Sequence, residues 1–348
     1  MLEITTTRHN PLVDPQLAVW SWEIPVYLFF GGLVAGMMIL GGMAMLRIAR
    51  GEDGRSFFSL QTPLLAFVLI NLGMGALFLD LTHKLYVWRV YLTLQPGSPM
   101  SWGSWLLIVV YAALLLSALI RLPEAWPWLG RRVPALQRWS DALLARPGLV
   151  KALAWANILL GIGLGIYTGI LLNTMVARPL WNSAILGPLF LFSGLSAGAA
   201  MVHLASVARG TRPAPEGMIG GAIAALCQPL GNALPEKRAV DSLVRADIAF
   251  LAIELALIGL LLVNLYTSTA SHAAAATLLV SGPYAWAFWG VIVGLGVLVP
   301  LALQGLELGH RIPHTVVPAL LVLVGGFTLR WVLVNAGQAS HVLHAAGR

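Results

Sequence analysis

Eight apolar stretches, each close to the length that crosses a bilayer, decide what this polypeptide can fold into. A helix rises 1.5 Å per residue and the hydrocarbon core is about 30 Å thick, so roughly 20 apolar residues span it. The 348-residue sequence meets that requirement near 22–46, 62–80, 103–121, 152–175, 184–207, 247–267, 285–304 and 315–335. Backbone groups in lipid must satisfy one another, and runs of this length do so as helices. The expected fold is an all-α integral membrane protein with eight transmembrane helices. Only 10% of the residues are charged, against about 25% in a soluble domain. The first 19 residues lack a basic region followed by a short apolar core and a small-residue cleavage site. The first run is therefore expected to remain in the membrane rather than to leave as a signal peptide.

The net charge of +7 would suit nucleic acid if the basic residues formed one patch, but they sit in loops. Fifteen of the 21 Lys and Arg residues follow odd-numbered runs: Arg47, Arg50 and Arg55; Arg121, Arg131, Arg132, Arg138, Arg146 and Lys151; Arg209, Arg212, Lys237, Arg238 and Arg245; and Arg311. Topology explains this better than nucleic acid does. The positive-inside rule puts both termini outside, which is periplasmic for a bacterial inner membrane. The expected organisation is an outer segment 1–21, a membrane domain 22–335 and an outer tail 336–348. The long inner loops 122–151 and 208–246 read as connectors.

The outer side then holds the densest polar cluster, in ALFLDLTHKLYVWRVYLTLQPGSPMSWGSW (Ala76–Trp105). Asp80, His83 and Lys84 stand at i, i+3 and i+4, so a continuing helix would put them on one face. Glu23, Tyr27, Tyr167 and Arg330 also fall near the outer ends of their runs, with Tyr27 and Tyr167 about 10 Å below the boundary. Polar residues inside a membrane cost roughly 2.5–3.5 kcal/mol on insertion scales, so their positions carry information. A pocket of phenol, carboxylate and imidazole suits a lipid-soluble molecule with a polar head, such as a quinone. Oxidising a quinol releases two protons, and Asp80 with His83 would supply a base and an exit to water. Lys84 would favour the charged carboxylate. The bland reading is that Asp80 caps a helix while Lys84 and Arg89 snorkel into headgroups.

Trp20, Trp22, Trp88, Trp102, Trp105 and Trp181 all lie near the outer boundary, where an aromatic belt is expected. Trp102 is the exception singled out as a pocket residue, because Ser101-Trp102-Gly103 follows the polar cluster. Glu254 lies deep in the sixth run, where an acid is either a proton relay with Asn71, His203 and Gln304 or a neutral interhelical hydrogen-bonding group. One cysteine, Cys227, excludes an internal disulfide and a cysteine-ligated iron–sulfur cluster within the chain. Of eight histidines only His203 lies well inside a run, which argues against haem ligation between helices. Pro313 breaks the helical spacing of His310 and His314, so no metal site is expected. GGLVAG (Gly31–Gly36) in the first run and SGLSAG (Ser193–Gly198) in the fifth form a weak repeat with four-residue glycine spacing. A duplicated four-helix unit or close helix packing alone would each produce it.

WSWEIPVYLFFGGLVAG (Trp20–Gly36), LDLTHKLYVWRVYLTLQPGSPMSWGSW (Leu79–Trp105), YTGILL with ARPLWNS (Tyr167–Ser183), FLFSGLSAGAA and LRWVLVNAGQ (Leu329–Gln338) resemble the polysulfide-reductase membrane-subunit family, also called NrfD-like. The resemblance runs from about residue 18 to residue 338. It implies two four-helix bundles and an outer quinone or quinol site, for menaquinone or ubiquinone, with no redox centre in this chain. It implies a periplasmic ferredoxin-like iron–sulfur partner and a molybdopterin or multihaem cytochrome catalytic subunit. By motif, Tyr167 matches the family's quinone-contacting tyrosine and Asp80 sits in its LDL motif. Tyr27 and Ile24 stand where one branch has histidine and asparagine. The competing readings are a proton-translocating or transporter-like module and a passive anchor for a partner.

Overall fold

The computed structural model describes residues 20–52, 56–207, 217–227 and 237–342. Most of segment 1–21, the end of the 336–348 tail, and Arg8, Arg55, Arg209, Arg212 and Arg348 lie outside the described residues. Among the described residues there are eight long apolar helices: α1 (Glu23–Ile48), α2 (Thr62–Asp80), α3 (Pro99–Ala125), α4 (Pro147–Asn173), α5 (Leu186–Val207), α6 (Lys237–Thr267), α7 (Trp286–Leu308) and α8 (Val317–Ala339). Each overlaps its expected run, and no strand occurs among the described residues. Prolines at the first turns of α2, α3, α4 and α8 mark the starts, where a missing N–H has no intrahelical partner to lose. α8 runs four residues past the expected boundary at 335. The connectors hold short helices, among them Pro134–Leu144 and Ala270–Val280.

α1–α4 form one four-helix group and α5–α8 a second, joined where α1 packs on α5. The repeat seen in the sequence is this joint. An added Cβ on Gly36 would lie 2.2 Å from the Gly194 carbonyl oxygen, one on Gly194 2.5 Å from that of Gly32, and one on Gly198 2.8 Å from the Gly36 carbonyl carbon. The two matching motifs therefore meet each other at one level, with backbone against backbone. Only glycine allows that approach.

Both ends of the bundle return to the same side. The Trp20 N–H donates to Oε1 of Gln338 at 2.9 Å, and Nε2 of Gln338 donates to the Trp20 carbonyl at 2.9 Å. This side also carries the loop after Asp80 and is called the Asp80 end; the opposite is the arginine-rich end. α7 departs from expectation in its winding. Trp286–Leu298 forms a wide π-helix that reverts to α-helix at Val299, a form found mostly as single turns and frequently at functional sites.

Gly194→Val is expected to prevent a stable fold, because overpacking already costs about 1–3 kcal/mol against mobile side chains and here it meets backbone. Gly31→Ala, with nothing within 4 Å of the new methyl, should leave the thermal midpoint of the purified protein unchanged.

Candidate functional site

The loop after α2 is strapped to the start of α3. The Ser104 hydroxyl donates to the Val90 carbonyl at 3.0 Å, the Ser101 hydroxyl to Thr93 at 3.1 Å, and Trp102 Nε1 to the Pro96 carbonyl at 2.6 Å. The serines and tryptophan of SPMSWGSW thus hold the short helix Trp88–Leu92 in place. Beneath it opens a cavity of about 460 Å³ between α2 and α3, lined by Met74, Leu77, Phe78, Leu81, Val87, Tyr91, Leu107, Ile108 and Tyr111. That volume suits a small organic ligand. Its wall is apolar except for the two phenols. Phe78 and Ile108 are 42% exposed on the flank of the bundle, so the cavity faces the apolar surface.

Behind this wall lie the two tyrosines singled out from the sequence. Tyr27 and Tyr167 are both buried at 8% exposure. They are near enough to interact electrostatically, and Tyr91 is in range of Tyr27. The Tyr167 hydroxyl shares a hydrogen bond with the Gly103 backbone. A Cβ on Gly103 would fall 2.0 Å from that hydroxyl, so this glycine is what admits the phenol. Burial pushes the Tyr91 phenol above its ordinary range, which keeps it a neutral hydrogen-bond donor.

Asp80, His83 and Lys84 do not share a helical face. α2 ends at Asp80, Leu81 is extended, and His83 has φ −109° and ψ 69°. Asp80 is instead within electrostatic range of Glu23 at the start of α1, and Oε2 of Glu23 is buried without a hydrogen-bond partner. The carboxylate pair thus comes from two helices. His83 packs its ring against Tyr86, Lys84 is exposed, and Arg89 stacks on Tyr86 and Trp88 at 4.6 and 5.5 Å.

Trp102 is half-exposed and serves the loop rather than the cavity. Trp181 is no belt residue. It is fully buried, donates to the Leu333 carbonyl at 2.8 Å and packs at a tilt against Trp20 with ring centres 5.2 Å apart. Beside it Arg178 donates to the carbonyls of Gln338 and Ser340 at 3.0 and 2.8 Å. Burial lowers this guanidinium from its ordinary value. The ARPLWNS stretch is thus a clamp on the end of α8.

Arg330 lies away from the cavity. It is fully buried and donates to the Ser193 hydroxyl at 2.6 Å and the Gly326 carbonyl at 2.9 Å. Its guanidinium lies against Gly32. Ser193 also hydrogen-bonds Glu254, so Arg330 and Glu254 belong to one buried group in the second bundle. Asn71 does not join them. It sits on α2, donating to the Phe67 carbonyl at 2.6 Å and accepting from the Tyr111 hydroxyl at 3.3 Å. His203 lies further along α5, with its ring centre 6.4 Å from that of His314.

Sequence reasoning missed Tyr91, Gly103 and Asp247. Asp247 precedes Glu254 by seven residues, two helical turns, which is a legible signal. It was hidden by falling at the first position of the expected run. Among the described residues, no group of three or more His, Cys, Asp or Glu side chains is placed to hold a metal ion.

Comparison with known proteins decides the family. The family described as "Polysulphide reductase, NrfD" matches residues 10–218 and 216–341. The chain belongs to the NrfD family. The C chain of polysulfide reductase from Wolinella succinogenes is 30% identical over 336 residues, covering 92% of this sequence and 94% of that one. Protein NrfD of Escherichia coli is 27% identical over 330 residues, covering 92% and 95%. The C subunit of selenate reductase from Mesobacillus selenatarsenatis is 27% identical over 341 residues, covering 90% and 73%. NrfD-family proteins of this kind are membrane subunits of oxidoreductases, and two of these relatives are named as one component of a reductase. The protein is thus a multi-pass membrane protein of this family.

Trp181→Ala should destabilise the fold by about 3–5 kcal/mol, as removal of a buried aromatic does. Trp102→Phe forfeits one hydrogen bond and should cost about 1 kcal/mol. Thermal unfolding of the two purified variants in detergent checks the ranking.

Proposed function

We propose that this protein is the quinone-reactive subunit of a multi-subunit respiratory oxidoreductase in the bacterial inner membrane. On this reading it exchanges electrons between the quinone pool, menaquinone or ubiquinone, and a periplasmic ferredoxin-like iron–sulfur subunit. A molybdopterin or multihaem cytochrome subunit holds the terminal chemistry. The observation that carries the reading is the apolar cavity on the bundle flank, with Tyr91 in its wall and the buried Tyr27–Tyr167 pair behind it. An isoprenoid tail fits the apolar part, and a hydroxylated ring is held by phenols. A quinol gives up two electrons and two protons. The electrons pass to the docked iron–sulfur centre. The protons pass by way of the tyrosine hydroxyls to the Asp80–Glu23 pair, which opens to the aqueous phase at the Asp80 end. Reduction of a quinone reverses each step, and the partner's potential sets the direction.

Positive-inside topology supports placing the Asp80 end and both termini in the periplasm. This is where an extracytoplasmic partner meets the cavity at short range. His83 and Lys84 then lie at the rim as secondary groups. Asp80, not His83, is the first proton acceptor, because its carboxylate is the one paired with the start of α1.

Quinol oxidation by the assembled complex in membranes tests the reading, with assembly checked on native gels. Asp80→Asn should slow turnover by about 100-fold, the lower end of what a positioned base contributes. Gly103→Ala, which displaces the Tyr167 phenol, and Tyr167→Phe should each raise KM for quinol. His83→Ala should change little. Wild-type turnover in assembled Asp80→Asn and Tyr167→Phe would leave the passive-anchor reading standing. Topology is checked by replacing Cys227 with Ser and introducing Ser98→Cys. An impermeant maleimide should label that variant on intact spheroplasts.

A further inference from the structure

We propose that Asn71 and Tyr111 form a mid-membrane docking station for the quinone or quinol ring, at the inner end of the α2–α3 cavity. The ring arrives there from lipid before it rises to Tyr91 and the Tyr27–Tyr167 pair. The inference rests on the quinone reading of the cavity and adds a place of entry to it.

The depth and the direction of these two residues do not match the usual pattern. Asn71 is the central residue of α2, nine positions from Thr62 and nine from Asp80, and Tyr111 is one position from the centre of α3. At 1.5 Å per residue Asn71 sits about 14 Å inside the Asp80 end. Polar groups at such a depth ordinarily turn to the bundle interior, where another helix serves them. Ser117 of α3, Asn157 of α4, and Glu254 and Arg330 of the second bundle do so and are buried. Asn71 is exposed, on a helix flank where Val68, Leu72 and Phe78 are exposed as well. An amide on that flank costs free energy unless something arriving from lipid hydrogen-bonds to it.

The pair is only loosely closed on itself. The Tyr111 hydroxyl donates to Oδ1 of Asn71 at 3.3 Å, long beside the usual O–H···O distance of about 2.7–2.8 Å. One N–H of the Asn71 amide donates to the Phe67 carbonyl at 2.6 Å. The other N–H, and the acceptor side of the Tyr111 oxygen, have no partner among the described residues. One donor and one acceptor are thus offered at the same spot. A quinone carbonyl needs a donor and takes the amide N–H. A quinol hydroxyl needs an acceptor and takes the phenol oxygen, while Tyr111 keeps its bond to Asn71. Both redox forms are held, as a station passed by the incoming and the outgoing molecule requires. No covalent bond changes here and no electron moves.

The cavity leads from this pair to Tyr91. Tyr111 lies in its wall, held edge-on against Phe67 with ring centres 6.1 Å apart. The lining on α2 climbs from Met74, three residues above Asn71, to Leu81, about 10 Å of helix. Gly75 stands four residues from Asn71, so the two share a face. It is exposed, and a Cβ added to it would meet nothing within 4 Å. This leaves a notch between lipid and cavity at the level of the pair.

The test is photolabelling of the assembled complex in membranes, without turnover. The probe is a quinone with an azide on its ring and a single isoprenoid unit as tail, and peptide mass spectrometry locates its attachment. Labelling within 67–75 and 107–111, displaced by excess unlabelled quinone, is expected in addition to labelling within 87–105. Asn71→Leu should lower the inner labelling at least about fivefold and kcat/KM for quinol about tenfold, the scale of one lost hydrogen bond. Its kcat at saturating quinol should change less than about twofold. Gly75→Leu, which fills the notch without removing a hydrogen bond, should do the same and serves if Asn71→Leu fails to assemble. Labelling confined to 87–105, or inner labelling that neither variant lowers, overturns the station. Inner labelling that appears only after the partner subunits are stripped away also overturns it, since a protein helix then covers the pair. Wild-type quinol oxidation in assembled Asp80→Asn and Tyr167→Phe would remove the electron-transfer reading and leave the inner labelling as it is, so the two fail separately.

Discussion

The approach of α1 to α5 is the contact on which the other arrangements rest. Helices whose backbones touch must present glycine to each other, and Gly32, Gly36, Gly194 and Gly198 do so at one level. In a bilayer no hydrophobic effect drives helices together, so this close dispersion contact, multiplied along two helices, joins the two bundles. It also fixes what lies on either side. Tyr27 stands five residues from Gly32 toward the Asp80 end, and the Arg330 guanidinium occupies the space a side chain on Gly32 would take. A β-carbon there would displace the arginine and, with it, the bond to Ser193.

The two bundles divide the chemistry by how they treat polar groups. The first places Tyr91 and Tyr111 in the wall of an otherwise apolar cavity that opens on the flank, which suits a ligand arriving from lipid. The second buries acids, an arginine and a histidine at successive depths and supports them from neighbouring helices. Ser193 and Ser196 on α5 face Glu254 and Asp247 on α6, so two hydroxyls one turn apart serve two acids two turns apart. Burying such groups is expensive, and their partners come from three other helices, so the bundle must be fully assembled before any is satisfied. The π-wound half of α7 belongs to this bundle as well. It brings Gly296 against Gly325 of α8, where an added Cβ would lie 2.6 Å from the opposite Cα.

Much of this was legible beforehand. Helix number, order and approximate ends followed from apolar run length, because a bilayer permits little else at that length. Tyr27 and Tyr167 were legible as intramembrane phenols, and Glu254 as an intramembrane acid. The motif SPMSWGSW was legible as important, but its role was not. It reads as pocket lining and is a strap, since a hydroxyl's partner is chosen by how the loop folds back. Trp181 read as an interfacial residue because its sequence position is interfacial. Burial under Trp20 and the end of α8 comes from segments more than 150 residues away.

What the sequence by itself determined is what one helix can report: its span, its sign of charge at each end, and the presence of costly polar residues within it. Tertiary structure alone decided which of those residues meet. Asp80 does not share a helical face with His83 because the helix stops before the i, i+3 pairing can form, and Glu23 of another helix comes within electrostatic range of it instead. Arg330 and Glu254, 76 positions apart, came together through a serine on a third helix. Interhelical partners depend on the rotation and depth of each helix in the bundle. Those are set by backbone contacts such as the glycine seam, which no local pattern encodes.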